Sequence, residues 1–133
     1  KIIAITGSNG KTTTTLLTYH LLKEAGYHVG LAGNIGQSFA KQVLEKAFDW
    51  YVLEISSFQL DRCFQFAPDI AVLVNITPDH LDRYDGYEGY GASKARLFEM
   101  QHDGQFAVFG CQPLCRSIDS LTLRARVRFS QRV

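Results

Sequence analysis

The chain has 133 residues, 46% of them hydrophobic and 20% charged, with a formal net charge of +1 at pH 7. That is material for one compact core and too little for two, and the interspersed acids and bases form no basic stripe that would argue for nucleic acid. No apolar run approaches the roughly 20 residues of a membrane-spanning helix and the start has no signal-peptide layout, so the sequence predicts a cytoplasmic single domain with no membrane partner.

The three cysteines, Cys63, Cys111 and Cys115, are an odd number without zinc-ribbon or disulfide-framework spacing, and they read as reduced thiols. Lys1 already lies inside an apolar run, so the chain is expected to be part of something longer.

In chain order, Ile2 to Ile5 form a short apolar strand and Thr12 to Leu17 open a helix, with Gly7-Ser8-Asn9-Gly10-Lys11-Thr12 between them. Leu16, Leu17, His20, Leu21 and Leu22 share one helical face, and Gly26 is placed to end the helix. A second strand over His28 to Ala32 leads to the turn Gly33-Asn34-Ile35-Gly36 and a helix carrying Phe39, Val43 and Leu44 through about Ala47. WYVLEI, 50–55, and IAVLVNI, 70–76, are further apolar strands. A glycine- and tyrosine-rich connection over Tyr84 to Gly91 precedes a helix from about Ala92 to His102. Phe106 to Phe109 is one more strand, and an edge strand is expected near Arg126 to Ser130. This alternation predicts an α/β fold with a mostly parallel sheet flanked by helices, in which ligands sit beyond the carboxyl ends of the strands.

The glycine segment carries the most chemistry. A strand-to-helix loop exposes backbone N–H groups at the positive end of the helix dipole, which suits phosphate. Lys11 adds a charge and Thr12 a hydroxyl able to hold Mg²⁺. The common phosphate loop has a glycine where this chain has Ile5, so the spacing is a shortened G-x-x-G-K-T.

Glu54 is the single charge in an apolar strand and must be paired, protonated or bound to a cation. His80, between Asp79 and Asp82, reads as a metal ligand or as a solvent-facing loop residue. Lys94 shares a helical face with Leu97 and Phe98. Periodicity alone favours a side chain snorkelling outward over one whose pKa is lowered by burial. Asn34, Ser56 and Gln59 offer neutral groups for a polar substrate, or else simple turn and helix-capping roles. Tyr84, Tyr87 and Tyr90 read as loop packing.

Four segments in order, GSNGKTTTT, LEISSFQLD, NITPDHLDRY and SKARLFE, resemble the motifs of the Mur ligase family, ATP-dependent enzymes that add amino acids to the cell-wall peptide precursor. The resemblance runs from Lys1 to about Gly110 and accounts for the short loop. LEISSFQLD is similar to the stretch of the member that adds D-glutamate. The resemblance implies a P-loop NTPase-like central domain, acting as a monomer, that holds ATP on Gly7, Ser8, Asn9, Gly10, Lys11, Thr12 and Thr13. It implies two Mg²⁺ ions, one on Thr12 and Glu54 and the other on His80 and a carbamylated Lys94, with Lys11, His80 and Lys94 as catalytic residues. Asn34, Ser56 and Gln59 then face UDP-N-acetylmuramoyl-L-alanine, whose carboxylate is phosphorylated before D-glutamate attacks.

The chain departs from the family at Gly110-Cys111-Gln112-Pro113, where an Asn-x-Asp-Asp type of segment normally helps seat the adenine. It also lacks the family's N-terminal uridine-nucleotide domain and C-terminal amino-acid domain, so the fragment alone is expected not to ligate. A folylpolyglutamate-type ligase shares the loop plan without SSFQL, and a nucleotide-binding ATPase module is the reading outside ligases.

Overall fold

The structure, a computed structural model, describes residues 1–79 and 82–110 and, as backbone, 126–129. Strands β1 (Ile2–Thr6), β2 (Val29–Gly33), β3 (Trp50–Glu54), β4 (Ile70–Leu73), β5 (Phe106–Phe109) and β6 (Arg126–Phe129) form one sheet in the order β2-β3-β1-β4-β5-β6. Every pairing is parallel, which requires crossover connections and two covered faces. Helices α1 (Lys11–Glu24), α2 (Phe39–Glu45), α3 (Ser57–Leu60) and α4 (Gly86–Glu99) supply those between β1 and β5.

Side chains alternate between the faces, and the register turns that alternation into layers. Ala32, Leu53, Ala4, Ala71 and Ala107 stand in one row across five strands. Four alanines in that row let α3 and α4 approach closely, and Leu60, Tyr90, Leu97, Phe98 and Phe109 complete this core. On the other face Ile3, Ile5, Val29 and Val52 pack beneath Tyr19 and Leu22 of α1. Val52 and Glu54 point the same way, so the strand that buries Val52 under α1 delivers Glu54 beneath the first turn of that helix.

Several expectations are corrected. The apolar face of α1 is largely the outer one: Leu16, Leu17, His20 and Leu21 are exposed, while Thr15 is buried and Thr18, Tyr19 and Leu22 are half-buried. Threonine and tyrosine read as polar although they carry enough carbon to fill the inner face. In α2 the buried residue is Gln42, whose amide donates to Leu31 O at 2.6 Å on the sheet edge, and Val43 and Leu44 are exposed. Helix α4 starts at Gly86, six residues earlier than expected, which brings Tyr87 and Tyr90 into it. β4 ends at Leu73, and the chain from Val74 to Thr77 turns across the mouth of the glycine loop. The edge strand expected near Arg126 is β6.

Candidate functional site

The carboxyl ends of β1, β3 and β4 meet where α1 departs on one face of the sheet and α4 on the other. Such a point, where the chain leaves adjacent parallel strands in opposite directions, opens a crevice. Residues 7–10 line it. Gly10, with φ +77°, is the N-cap of α1, a conformation that suits glycine. The first bond of the helix is Thr14 N–H to Gly10 O, so the amides of Lys11, Thr12 and Thr13 point outward from the helix end. Lys11 Nζ folds back onto Gly7 O and Ser8 O, both at 2.9 Å.

The loop is strapped down by Asn75, which the sequence places after the carboxyl end of an apolar strand, where it could converge on one site with the glycine loop and Glu54. Asn75 Oδ1 accepts from the amides of Ser8 at 3.2 Å and Asn9 at 2.9 Å, and its Nδ2 donates to Asn9 O at 3.0 Å. Ser8 Oγ donates to Thr77 O and accepts from Thr77 N–H, each at 3.0 Å. Its remaining lone pair takes the Tyr90 hydroxyl at 3.2 Å. The available signal was Asn75 at the end of an apolar strand, in line with Glu54 and the loop.

Glu54 is 1% exposed. Its Oε2 accepts from Thr12 Oγ1 at 2.7 Å and its Oε1 from Asn34 Nδ2 at 2.8 Å, while Asn34 N–H donates to Glu54 O at 2.8 Å. Both side-chain partners are neutral, and among the described residues no cation pairs with the carboxylate. A buried anion with neutral donors and a threonine hydroxyl beside it, at the mouth of a phosphate-type loop, is the donor set that a hard divalent cation accepts. Gly33 makes the approach possible. It has φ +100°, and a Cβ there would lie 2.2 Å from Glu54 O.

Lys94 does not snorkel. It is 1% exposed, with Nζ 3.0 Å from Gly7 O and 4.4 Å from the centroid of the Tyr90 ring. Burial, reinforced by the Lys11 ammonium that shares the Gly7 carbonyl, lowers its pKa from 10.5 to about 8. The face shared with Leu97 and Phe98 is simply buried, and periodicity could not supply the polar acceptor waiting at its end. Burial likewise raises the Tyr90 hydroxyl.

The structure therefore brings together Gly7, Ser8, Asn9, Gly10, Lys11, Thr12, Asn34, Glu54 and Lys94, with Thr13 on the first turn of α1. Ser56 and Gln59 sit at the carboxyl end of β3 but are occupied with each other. Ser56 Oγ accepts from Gln59 N–H at 3.3 Å and Gln59 Oε1 accepts from Ser56 N–H at 2.9 Å, a reciprocal cap on α3. His80, Cys111, Cys115 and the segment 111–113 lie outside the described residues. Cys63 is a free thiol whose pKa is raised by burial.

The sequence and the fold both have counterparts among known proteins. The chain is 64% identical over 100 residues to a UDP-N-acetylmuramoylalanine--D-glutamate ligase of Cytophaga hutchinsonii, covering 74% of this chain and 22% of that protein. It is 53% identical over 130 residues to the ligase of the same name from Bacteroides fragilis, covering 96% of this chain and 29% of that protein. The chain thus spans about a quarter of the length of these relatives. Among solved structures, a MurF ligase from Thermotoga maritima in complex with ADP superposes with a TM-score of 0.78 at 26% identity, over 97% of this chain and 32% of that one. The pattern of the Mur ligase middle domain matches residues 5–124, and the chain belongs to that family.

Proposed function

We propose that this chain is the ATP-binding middle of a cytoplasmic ligase that joins D-glutamate to UDP-N-acetylmuramoyl-L-alanine through an acyl phosphate. The relatives that bear this name support the substrate assignment. The observation that carries the chemistry is the buried Glu54 carboxylate, 2.7 Å from the hydroxyl of Thr12 on the first turn after the glycine loop. That is where phosphate oxygens and a divalent cation meet.

In this reading the outward amides of Lys11, Thr12 and Thr13 take the phosphates of ATP, and Lys11 leaves the loop carbonyls for the β- and γ-phosphate oxygens. Thr12 and Glu54 hold one Mg²⁺, and His80 with Lys94 serves a second. Bound there, Mg²⁺ neutralises charge that develops on the transferring phosphoryl group. The chain's own contribution is positioning and fixed positive charge, which is most of what phosphoryl transfer needs. The γ-phosphoryl group passes to the alanine carboxylate, ADP leaves, and the amino group of D-glutamate then displaces phosphate to form the amide.

Lys94 is suited to carbamylation. An amine whose pKa is lowered to about 8 is partly neutral near physiological pH, and a neutral amine adds CO₂ with loss of one proton. The product is an anion beside Lys11, which removes the repulsion between two ammonium groups on one carbonyl. Asn34 acts here through Glu54, and Ser56 and Gln59 present the rim of α3 to the muramoyl substrate. The chain is read as a monomer.

The test is carboxylate-dependent ADP release by the intact enzyme. ADP should form only when UDP-N-acetylmuramoyl-L-alanine is present, and amide only when D-glutamate is added. ADP release that ignores the carboxylate substrate would favour an ATPase module. Turnover of a folate substrate would favour a folylpolyglutamate-type ligase, and this chain alone should give no amide.

A further inference from the structure

Beyond the phosphate loop, a second cleft of about 780 Å³ opens against α3, lined by Phe58, Gln59, Asp61, Arg62, Cys63 and Arg83. Its charge is arranged unusually. The one acid, Asp61, is turned away toward α4, where Oδ1 accepts from Ser93 Oγ at 2.5 Å and Oδ2 from Tyr84 OH at 2.8 Å. The two arginines are left without a carboxylate: the ion pair formed among the described residues is Lys41 with Glu45, on α2.

Arg83 is also held in place. Its Cζ lies 4.4 Å from the centroid of Phe58, and that ring is stacked on Tyr84 at 6.1 Å and 4°. A guanidinium laid on an aromatic face is restrained without using its N–H edge, the edge that grips an oxyanion with two parallel bonds. Gln59 uses its Oε1 in the cap of α3, so its amide N–H groups remain donors. Apart from the committed Asp61, the polar side chains of this cleft are donors and cations, which is the chemistry of an anion site.

We propose that Arg62 and Arg83 form an oxyanion site in this cleft for a phosphate or carboxylate group of a substrate other than ATP. The choice of ligands rests on the ligase reading. That reading supplies two sources of the same chemistry, the diphosphate of a nucleotide sugar and the free carboxylates of the incoming amino acid.

The experiment uses this chain, isotopically labelled, with the arginine Nε–H resonances followed by NMR during titration with inorganic pyrophosphate or with D-glutamate. One of the probes should shift Arg62 and Arg83 saturably, identifying the source, and the response should persist in Lys11→Ala, where the phosphate loop is disabled. Arg62→Ala and Arg83→Ala should each weaken binding at least about tenfold. Arg83→Lys, which keeps the charge but loses the planar fork, should not restore it. Shifts confined to the loop amides, no response to either probe, or unchanged affinity in both alanine variants would overturn the proposal. Mg-ATP binding to the same samples is read separately at the loop amides, so loss of the nucleotide site and loss of the arginine site are distinguishable.

Discussion

Lys94 offers the sharpest physical test because its ammonium is buried beside another cation. Its pKa of about 8, against 10.5 for the free side chain, means that the folded state disfavours the charged form. Between those two values the unfolded chain binds more protons than the folded one, so stability rises with pH through this window. A shift of this size corresponds to about 3 kcal/mol at full effect. Below pH 8 the cost is fully present, and above 10.5 it is gone. The assay is urea unfolding of the wild-type chain and of Lys94→Met at intervals from pH 7 to 10.5, in buffer freed of CO₂ so that the amine stays unmodified. Tyr90 and the other groups that titrate here are common to both proteins and cancel to first order. The wild type should gain about 3 kcal/mol relative to the variant across the window. Parallel curves would refute the reasoning and show that the amine is solvated in the folded protein. Adding Lys11→Met should move the wild-type rise to higher pH, since the Lys11 charge is part of the cause.

Asn75→Ala removes three hydrogen bonds from the glycine loop. It should cost about 2 kcal/mol at this partly exposed position, and it should weaken nucleotide binding in calorimetry while leaving the sheet intact. Gly33→Ala forces a Cβ to within 2.2 Å of Glu54 O at φ +100°. A loss of about 2–4 kcal/mol, or roughly 10 °C in a thermal melt, is expected, and Mg²⁺ dependence should fall with it because Glu54 is displaced from Thr12.

The parallel order of the sheet was legible because uninterrupted apolar runs such as IAVL and FAVF, separated by helical stretches, suit strands covered on both faces. The glycine loop was legible because a Gly-x-x-Gly-Lys-Thr run between a strand and a helix has a phosphate-binding use. Glu54 was found because a lone carboxylate in WYVLEI conflicts with its surroundings. The failures share a cause. The inner face of α1 is built from Thr15, Thr18, Tyr19 and Leu22, a set that the spacing of its leucines alone does not pick out. Periodicity alone misplaces Lys94 because it reports which face a residue occupies and not what lies opposite it. Gly7 O, 87 positions earlier in the chain, is the acceptor that makes burial tolerable. Asn75 could be placed at a strand end beside the site but its role as a strap could not be read, because its partners, 66 and 67 positions away, are backbone atoms that leave no trace in residue type.

The central claim is that the glycine loop and Glu54 together hold ATP with its cation. Calorimetric titration of Mg-ATP into the wild-type chain and Lys11→Ala tests it most directly. Saturable binding that depends on Mg²⁺ and is abolished in the variant is predicted; equal affinity in the two proteins would contradict it.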